Sequence, residues 1–357
     1  MSTDLEVVAI GARTSVGLAA ETSAAAVRAG ICRIREYSFV TMRGEPMAVA
    51  ADARLGPALE GVDRLLPLAR SALDEVICKL STGATRYRGP VDLRLALPEA
   101  RPGLSDGDVA AVAETLAAGL RTPEWLVHLD VAGRGHAGVA LAIERAVQAA
   151  GRRDDTLTVV LGVESYLHPA TLVWLEQNRQ FGPDARSGFT PGEGAGCLVL
   201  ASTRLRKRLD LRCLAVVGGA ATAEEPRLPG CETGSFGVGL TQAVMGALTG
   251  LELPRDAVDT IYIDINGERY RSEEWGFVAL QIPSAFKTLR YEAPADCWGD
   301  MGAASGALAS VLAVQSWARG YARGPRALVM AGSPHGRRGA ILLQDPRSLR
   351  AEEGATR

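Results

Sequence analysis

TPGEGAG, residues 190–196, leads directly into the apolar run CLVL at residues 197–200. A glycine-rich turn followed by an uninterrupted apolar run is typical of a strand that is covered on both faces. Two related stretches lie downstream. GDMGAASG at residues 299–306 opens an alanine-rich run, and GSPHGRRGA at residues 332–340 precedes an isoleucine and two leucines. All three predict turns whose glycines let buried elements pack closely.

Strands and helices alternate on both sides of the 190–196 stretch. The first half predicts strands at 5–10, 91–97, 125–131, 157–163 and 196–200, and helices at 19–29, 62–80, 109–120 and 139–150. A charged link at 204–210 follows. The second half predicts strands at 211–217, 260–265, 327–331 and 340–343, and helices at 240–248 and 302–318. This order predicts layered α/β structure, divided into halves at 1–203 and 210–345 and a polar tail at 346–357.

Four stretches together carry a family resemblance, and they occur in the family's order. VVAIG at 7–11 with VRAGI at 27–31 resembles the opening strand and helix of β-ketoacyl synthases. The stretches at 190–196, 299–306 and 332–340 resemble that family's P-G-E-G-A-G turn, its G-H-x-x-G-A-x-G segment and its closing glycine-rich loop. The chain therefore resembles the thiolase (β-ketoacyl synthase-like) superfamily. The resemblance implies an α/β, thiolase-like fold with two similar layered α-β-α-β-α halves.

The resemblance also places the condensing chemistry. The family keeps a nucleophilic cysteine on the turn between the strand at 125–131 and the next helix, where the helix N-terminus stabilises thiolate. Here the turn is GRGHAG at 133–138, so Gly135 or His136 takes that position, and helix phase favours His136. Acyl-imidazoles hydrolyse readily, which makes histidine a poor carrier of an acyl chain.

The family's two carbonyl-polarising residues correspond to Asn266 and Asp300. Asparagine donates hydrogen bonds and serves at this kind of position in some condensing enzymes. An ionised Asp300 would instead repel the enolate that a condensing site stabilises. The family's lysine corresponds to Lys287, unless that residue is an ordinary exposed lysine. We therefore expect no catalytic residue, and we name Gly135, His136, Asn266 and Asp300 the vestigial site.

Structural explanations exist for the same residues. His136 is also explained as a helix-start residue satisfied by its neighbours, Asp300 as a helix N-cap, and Asn266 as part of an Asn-Gly turn. Glu193 is expected to be structural. Gly133-x-Gly135-x-x-Gly138, with Asp154 and Asp155 about 20 residues beyond the first glycine, also matches a dinucleotide-binding fingerprint. We favour close backbone packing as the reason for these glycines.

The expected function is that of a catalytically inactive thiolase-fold protein. The chain resembles thiolase-like proteins found beside bacterial type VI secretion effectors, most strongly at CWGDMGAASG, residues 297–306. This implies a protein-binding adaptor or co-chaperone whose partner is an effector or an effector chaperone. The family resemblance further implies a homodimer formed through the strand at 125–131. Trp174, Tyr270 and Trp275, in segments of mixed charge, are candidate interface anchors or core aromatics.

Two alternatives remain open. A chain-length-factor-like protein would pair with an active ketosynthase in lipid or polyketide synthesis. A divergent acyl-transferring or hydrolytic enzyme would use His136 and Asp300 as an acid/base pair. The enzyme alternative needs a tunnel that reaches His136 and is not filled by Arg134, Trp298 or Met301.

Composition limits the other function classes. The chain has 357 residues, 47% of them hydrophobic, and a formal net charge of −2 with scattered cations, which disfavours nucleic acid and membrane partners. No apolar run approaches the roughly 20 residues that cross a bilayer, and the N-terminus lacks a secretory-signal pattern. We therefore expect a cytoplasmic protein with reduced cysteines. Its histidines and cysteines lack metal-ligand spacing, so neither a metal nor a cofactor is expected.

Overall fold

The computed structural model describes residues 4–81, 87–151, 154–182, 184–228, 231 and 234–348. The strands are Leu5–Thr14 (β1), Arg35–Val40 (β2), Pro46–Val49 (β3), Gly89–Leu97 (β4), Trp125–Arg134 (β5), Leu157–Ser165 (β6), Glu193–Ser202 (β7), Ala215–Glu224 (β8), Thr260–Ile263 (β9), Tyr291–Glu292 (β10), Arg326–Gly332 (β11) and Arg337–Gln344 (β12).

The α-helices are Ala20–Arg28 (α1), Val62–Ser81 (α2), Asp106–Leu120 (α3), Gly138–Ala149 (α4), Pro169–Gln177 (α5), Thr203–Arg208 (α6), Val238–Ala247 (α7), Arg269–Gln281 (α8), Ala295–Trp298 (α9) and Ser305–Ala318 (α10). Short 3₁₀ turns lie at Pro283–Ala285 and Gly302–Ala304.

The two halves of the chain repeat one strand order. The first half runs β1-β7-β6-β4-β5 and the second β8-β12-β11-β9-β10. In each half the first three strands pair antiparallel and the last three pair parallel. A two-residue seam, in which Glu6 and Val7 of β1 pair with Val216 and Ala215 of β8, joins the halves. Two five-stranded units of the same topology therefore build the molecule.

Helices and sheets form five layers. Helices α2 and α3 cover the outer face of the first sheet, and α7 and α8 cover the outer face of the second. Between the sheets lie α4 and α10, and α10 is buried along almost its whole length. A small hairpin, β2-β3, packs with α5 beside the first half.

Glycines of the 190–196 stretch make the layering possible. A Cβ atom at Gly196 on β7 would lie 2.8 Å from the backbone nitrogen of Leu308 on α10, and one at Gly192 would lie 2.5 Å from the carbonyl oxygen of Trp298. These distances are too short for any side chain. The first sheet therefore contacts the central helix through bare backbone, as close packing at these glycines predicts.

Most predicted elements are present, but the link between the halves and the strand that follows it differ from the prediction. The charged link contains helix α6, capped by the Ser202 side chain, with Leu205 buried beneath it. The strand predicted at 211–217 lies at Ala215–Glu224. Residues 211–214 form a connector in which Cys213 is buried and Arg212 is exposed. The small residues of β8 let α7 approach until the carbonyl oxygen of Ala247 lies 2.3 Å from the Cβ position of Gly219.

The C-terminal segment begins with a short helical turn. A polar tail is predicted from residue 346, but residues 346–348 form a helical turn in which Arg347 pairs with Asp345 at 2.8 Å. Residues 349–357 of the predicted tail lie outside the described residues.

Candidate functional site

The vestigial site forms where the two halves meet. Strand β5 runs into the turn at 135–137, where Gly135 adopts the left-handed region (φ +67°) and places His136 immediately before α4. Asn266 follows β9 in the second half, and Asp300 precedes the 3₁₀ turn at Gly302–Ala304. The fold brings His136 and Asn266 each within hydrogen-bonding distance of Asp300, although His136 and Asp300 are 164 residues apart in the chain.

Asp300 lies at the centre of this cluster and is 3% exposed. Its Oδ1 accepts hydrogen bonds from the Tyr166 hydroxyl at 2.8 Å and the Gly302 backbone N–H at 2.8 Å. Its Oδ2 accepts from the Asn266 amide at 2.5 Å. Both carboxylate oxygens lie 3.0 Å from Nε2 of His136. The carboxylate is therefore fully hydrogen-bonded although it is buried.

These contacts fix the charge of Asp300. Burial acts to raise the pKa of this carboxyl group, but the charges of His136 and Arg271 and the hydrogen bonds from His136 and Asn266 outweigh burial. The pKa of Asp300 therefore lies well below its ordinary value. The group is an anion at every pH at which the protein would work.

His136 is the imidazole partner of Asp300. Burial acts to lower the pKa of this imidazole, but the attraction of Asp300 outweighs it, so the pKa of His136 is raised above its ordinary value. Its Nε2 faces Asp300, and its Nδ1 is buried without a hydrogen-bond partner among the described residues. The expectation that neighbours satisfy His136 therefore holds for one ring nitrogen and fails for the other.

The N-cap explanation of Asp300 is wrong. Helix α10 begins at Ser305, and a 3₁₀ turn separates it from Asp300, which accepts from Gly302 in that turn. The turn explanation of Asn266 covers only its contacts with Glu268, one of which is donation from its side-chain amide to Oε2 at 3.2 Å. Its Oδ1 accepts from the Glu268 backbone N–H at 3.0 Å, while its side-chain amide reaches Asp300.

Sequence reasoning missed the cation beside His136. Arg271 of α8 is 3% exposed, and its Nη2 lies 3.2 Å from Nε2 of His136. The same guanidinium pairs with Asp264 at 2.5 Å and with Glu268 at 2.9 Å, and donates to the Gly332 carbonyl oxygen at 2.7 Å. Two carboxylates therefore pair with Arg271, and its positive charge also helps to lower the pKa of Asp300.

The sequence of α8 does not reveal that Arg271 is buried. The buried residues of this helix are Arg271, Glu274, Trp275 and Val278, which are spaced like one helical face. Two of the four are charged, so an apolar periodicity does not show them.

Other predicted residues lie away from the site. Lys287 pairs with Asp259 at 2.6 Å and is half exposed, as the ordinary explanation predicts. The six cysteines all fall in the described part of the chain, and none lines the cavity beside His136. Sγ of Cys297 faces the Val27 carbonyl oxygen at 4.0 Å. The described residues also hold no group of three His, Cys, Asp or Glu side chains placed for a metal ion.

The glycines of the dinucleotide-like motif are used in packing. A Cβ at Gly133 would lie 2.6 Å from the Cα of Gly138, and one at Gly138 would lie 2.9 Å from the Cβ of Ala96 on β4. The backbone N–H of Ala137, where α4 begins, donates to the Ser333 hydroxyl at 3.1 Å. These contacts agree with the packing explanation and leave no cradle for a pyrophosphate.

A cavity of about 570 Å³ reaches His136 from the surface. Among the residues that line it are Arg101, Tyr166, Trp174, Phe189, Glu268 and Arg271. Arg134, Trp298 and Met301 are not among them. Arg134 instead donates to the Pro98 carbonyl oxygen at 2.7 Å. The space is therefore present, and its walls mix aromatic and charged side chains.

Comparison with solved structures identifies the architecture. A type II polyketide ketosynthase in complex with its acyl-carrier protein matches with a TM-score of 0.73 at 14% identity, covering 97% of this chain and 100% of that one. The ishigamide ketosynthase/chain length factor matches with a TM-score of 0.74 at 16% identity, covering 96% and 98%. The chain has the thiolase-like ketosynthase fold. The predicted fold class, with two similar layered halves, is confirmed.

Further matches agree with the thiolase-like fold. The ketosynthase from module 6 of the bacillaene synthase of Bacillus subtilis 168 matches with a TM-score of 0.72 at 13% identity, covering 96% of this chain and 72% of that one. A highly reducing polyketide synthase of Fusarium pseudograminearum is 30% identical over 118 residues, which are 31% of this chain and 4% of that protein. No family model matches the sequence. TM-scores of 0.72 to 0.74 at identities of 13 to 16% establish the fold alone. The function must be argued from the site.

Proposed function

We propose that this chain is a thiolase-fold protein that does not condense acyl groups and acts as a protein-binding adaptor or co-chaperone. One observation carries the proposal: the position of a carbonyl-polarising histidine holds Asp300, a buried carboxylate already committed to His136, Asn266, Tyr166 and a backbone N–H.

The sign of this charge opposes condensation. A condensing site stabilises negative charge on a thiolate and on an enolate oxygen. At a separation of about 4 Å near a protein surface, two like charges repel by about 4 kcal/mol. Asp300 would therefore disfavour both anions wherever its charge is not balanced by a protonated His136. The site also lacks the thiol, since no cysteine lines its cavity.

Incubation of the protein with acetyl-CoA or octanoyl-CoA is expected to leave its intact mass unchanged, because no thiol lines the cavity beside His136 to accept the acyl group. Mass spectrometry of the whole protein measures this, with an active ketosynthase as the positive control. A stable adduct would contradict the proposal. Release of free CoA without an adduct would favour the hydrolytic alternative, in which the cavity admits substrate to His136.

The proposed partner is a cytoplasmic protein, namely a secreted effector of type VI systems or its chaperone. Support comes from the sequence resemblance around Asp300 and from the absence, among the described residues, of any helix able to cross a bilayer. Capture of the tagged protein from its native cytoplasm, with partners identified by mass spectrometry, tests it. Recovery of an effector or chaperone would support the adaptor function.

A chain-length-factor-like role is the second candidate. It is favoured by the match to a solved ketosynthase/chain length factor over nearly the whole length of both chains. Recovery of a ketosynthase in the same capture experiment would support this candidate over the adaptor function.

We further propose that the protein forms a homodimer through β5. This strand ends the sheet and carries exposed apolar side chains, with Leu126 77% and Val131 40% exposed. Exposed apolar edge strands tend to pair with another chain.

Leu126→Asp is expected to convert the dimer to a monomer, measured by light scattering. Leu280→Asp on α8, where the leucine is 78% exposed, is the matched control and should remain dimeric. A dimeric Leu126→Asp variant would exclude this interface.

A further inference from the structure

Two buried nitrogen atoms, on side chains that line the cavity beside His136, have no hydrogen-bond partner among the described residues. They are Nδ1 of His136 and Nε of Arg101. Both side chains are about nineteen-twentieths buried, with exposed fractions of 5% and 6%, and both line the same cavity. A buried polar group without a partner destabilises the folded chain. Two in one cavity indicate a place where a ligand completes the hydrogen bonding.

Two other nitrogen atoms of these side chains already have partners. Nη2 of Arg101 donates to Oε1 of Glu164 at 2.6 Å and to the Ser165 carbonyl oxygen at 2.7 Å. Nε2 of His136 faces Asp300. Burial acts to lower the pKa of the His136 imidazole, but the charge of Asp300 outweighs it and raises that pKa, which favours the protonated ring. In that form Nδ1 is a donor, as Nε of arginine always is. The unmet requirement is therefore for acceptors.

The charges that line the cavity are already paired. Glu164 pairs with Arg101, Glu268 with Arg271 at 2.9 Å, and Glu99 with His335 at 2.5 Å. A ligand with a strong net charge would find no free counter-charge among these groups. Neutral acceptors, such as carbonyl oxygens, match the two donors without disturbing the pairs.

The walls require an apolar group as well. Trp174, Leu175 and Phe189 line the cavity, and the Phe189 ring packs on that of Tyr166 at 5.3 Å. Asn178 and Gln180 add side-chain amides to the lining. An extended peptide offers all of these features: a carbonyl at every residue, apolar side chains, and no net charge of its own.

We propose that this cavity binds an extended, uncharged segment of the partner protein, with backbone carbonyl oxygens accepting from His136 and Arg101 and an apolar side chain against Trp174 and Phe189. The inference rests on the proposed adaptor function and names the site through which it operates. A thiolase-fold protein without a nucleophile would thus use its former substrate entrance to hold a peptide.

The test uses the full chain and a random heptapeptide phage library. Peptides selected on the wild-type protein are synthesised with blocked ends, and their dissociation constants are measured by fluorescence polarisation. Trp174→Ala removes the apolar wall. Arg101→Lys keeps the charge beside Glu164 but removes the Nε–H. We expect at least tenfold weaker binding for each variant, and unchanged binding for Tyr291→Ala, which alters an exposed aromatic outside this cavity.

Several outcomes would overturn the inference. They are the absence of any selected peptide, equal binding by wild type, Trp174→Ala and Arg101→Lys, and displacement of the selected peptide by pantetheine, which would assign the cavity to a carrier arm. These results differ from failure of the proposed function, which is an acyl adduct in the intact-mass experiment. If Trp174→Ala does not fold, the charge-conserving Arg101→Lys variant decides the question.

Discussion

Replacing Glu193 with alanine is expected to lower the free energy of unfolding by about 3–5 kcal/mol, because it leaves a buried arginine without its counter-charge. Glu193 and Arg64 are both completely buried. Nε and Nη2 of Arg64 donate to the two carboxylate oxygens at 2.7 and 2.6 Å. The Asp52 backbone N–H and the Ser165 hydroxyl also donate to this carboxylate, at 2.7 and 2.8 Å.

The pair joins two elements, since Arg64 belongs to α2 and Glu193 begins β7. Urea denaturation followed by circular dichroism measures the loss of stability. Glu273→Ala is the matched control. It breaks an ion pair with Arg269, which is 81% exposed, and should change stability by less than about 1 kcal/mol. A Glu193→Ala variant as stable as that control would show that the buried pair does not stabilise the fold.

A double variant separates the charge from the space it fills. Arg64→Met with Glu193→Leu replaces both ions by apolar side chains of similar length, and buried ion pairs often tolerate such replacement. We expect the double variant to be more stable than Glu193→Ala alone. The comparison then assigns the loss in the single variant to an unpaired charge.

The fold could be predicted from the sequence because its decisive features are local. The glycines at 190–196 are required by backbone contacts with α10, and the apolar runs of β6 and β7 are buried at every position. Strand β8 was misplaced because its small residues carry no apolar signal. The sequence analysis does not predict helices α5 and α8. In α8 the buried positions include Arg271 and Glu274, so the helix shows no apolar periodicity.

The site was predictable only where a motif led to it. His136, Asn266 and Asp300 lie in stretches that resemble family segments, and the fold brings them together. Arg101, Arg271 and Tyr166 lie outside those stretches, and their roles depend on pairings such as that of Tyr166 with Asp300, 134 residues apart. Pairings between distant parts of the chain leave no trace in local pattern. That the site is vestigial stays a prediction for the experiments above.

Asp300 is expected to suppress a thiolate placed in the site. In a His136→Cys variant, the new thiol would lie in the cavity beside the Asp300 carboxylate, where like charge raises the pKa of a neighbouring acid by about 1–3 units. Since thiolate is the reactive form, each unit lowers reactivity at neutral pH about tenfold. Adding Asp300→Asn removes the charge while keeping the side-chain size and an oxygen acceptor for Tyr166 and Gly302.

Iodoacetamide should therefore alkylate position 136 at least tenfold faster in the His136→Cys, Asp300→Asn double variant than in His136→Cys alone. Peptide mapping by mass spectrometry separates this position from the native cysteines, of which Cys32, Cys78 and Cys231 are exposed and serve as internal references. Circular dichroism verifies that both variants fold. Equal rates at position 136 would mean that Arg271, and not Asp300, sets the charge of the site, and the main argument against condensation would then be lost.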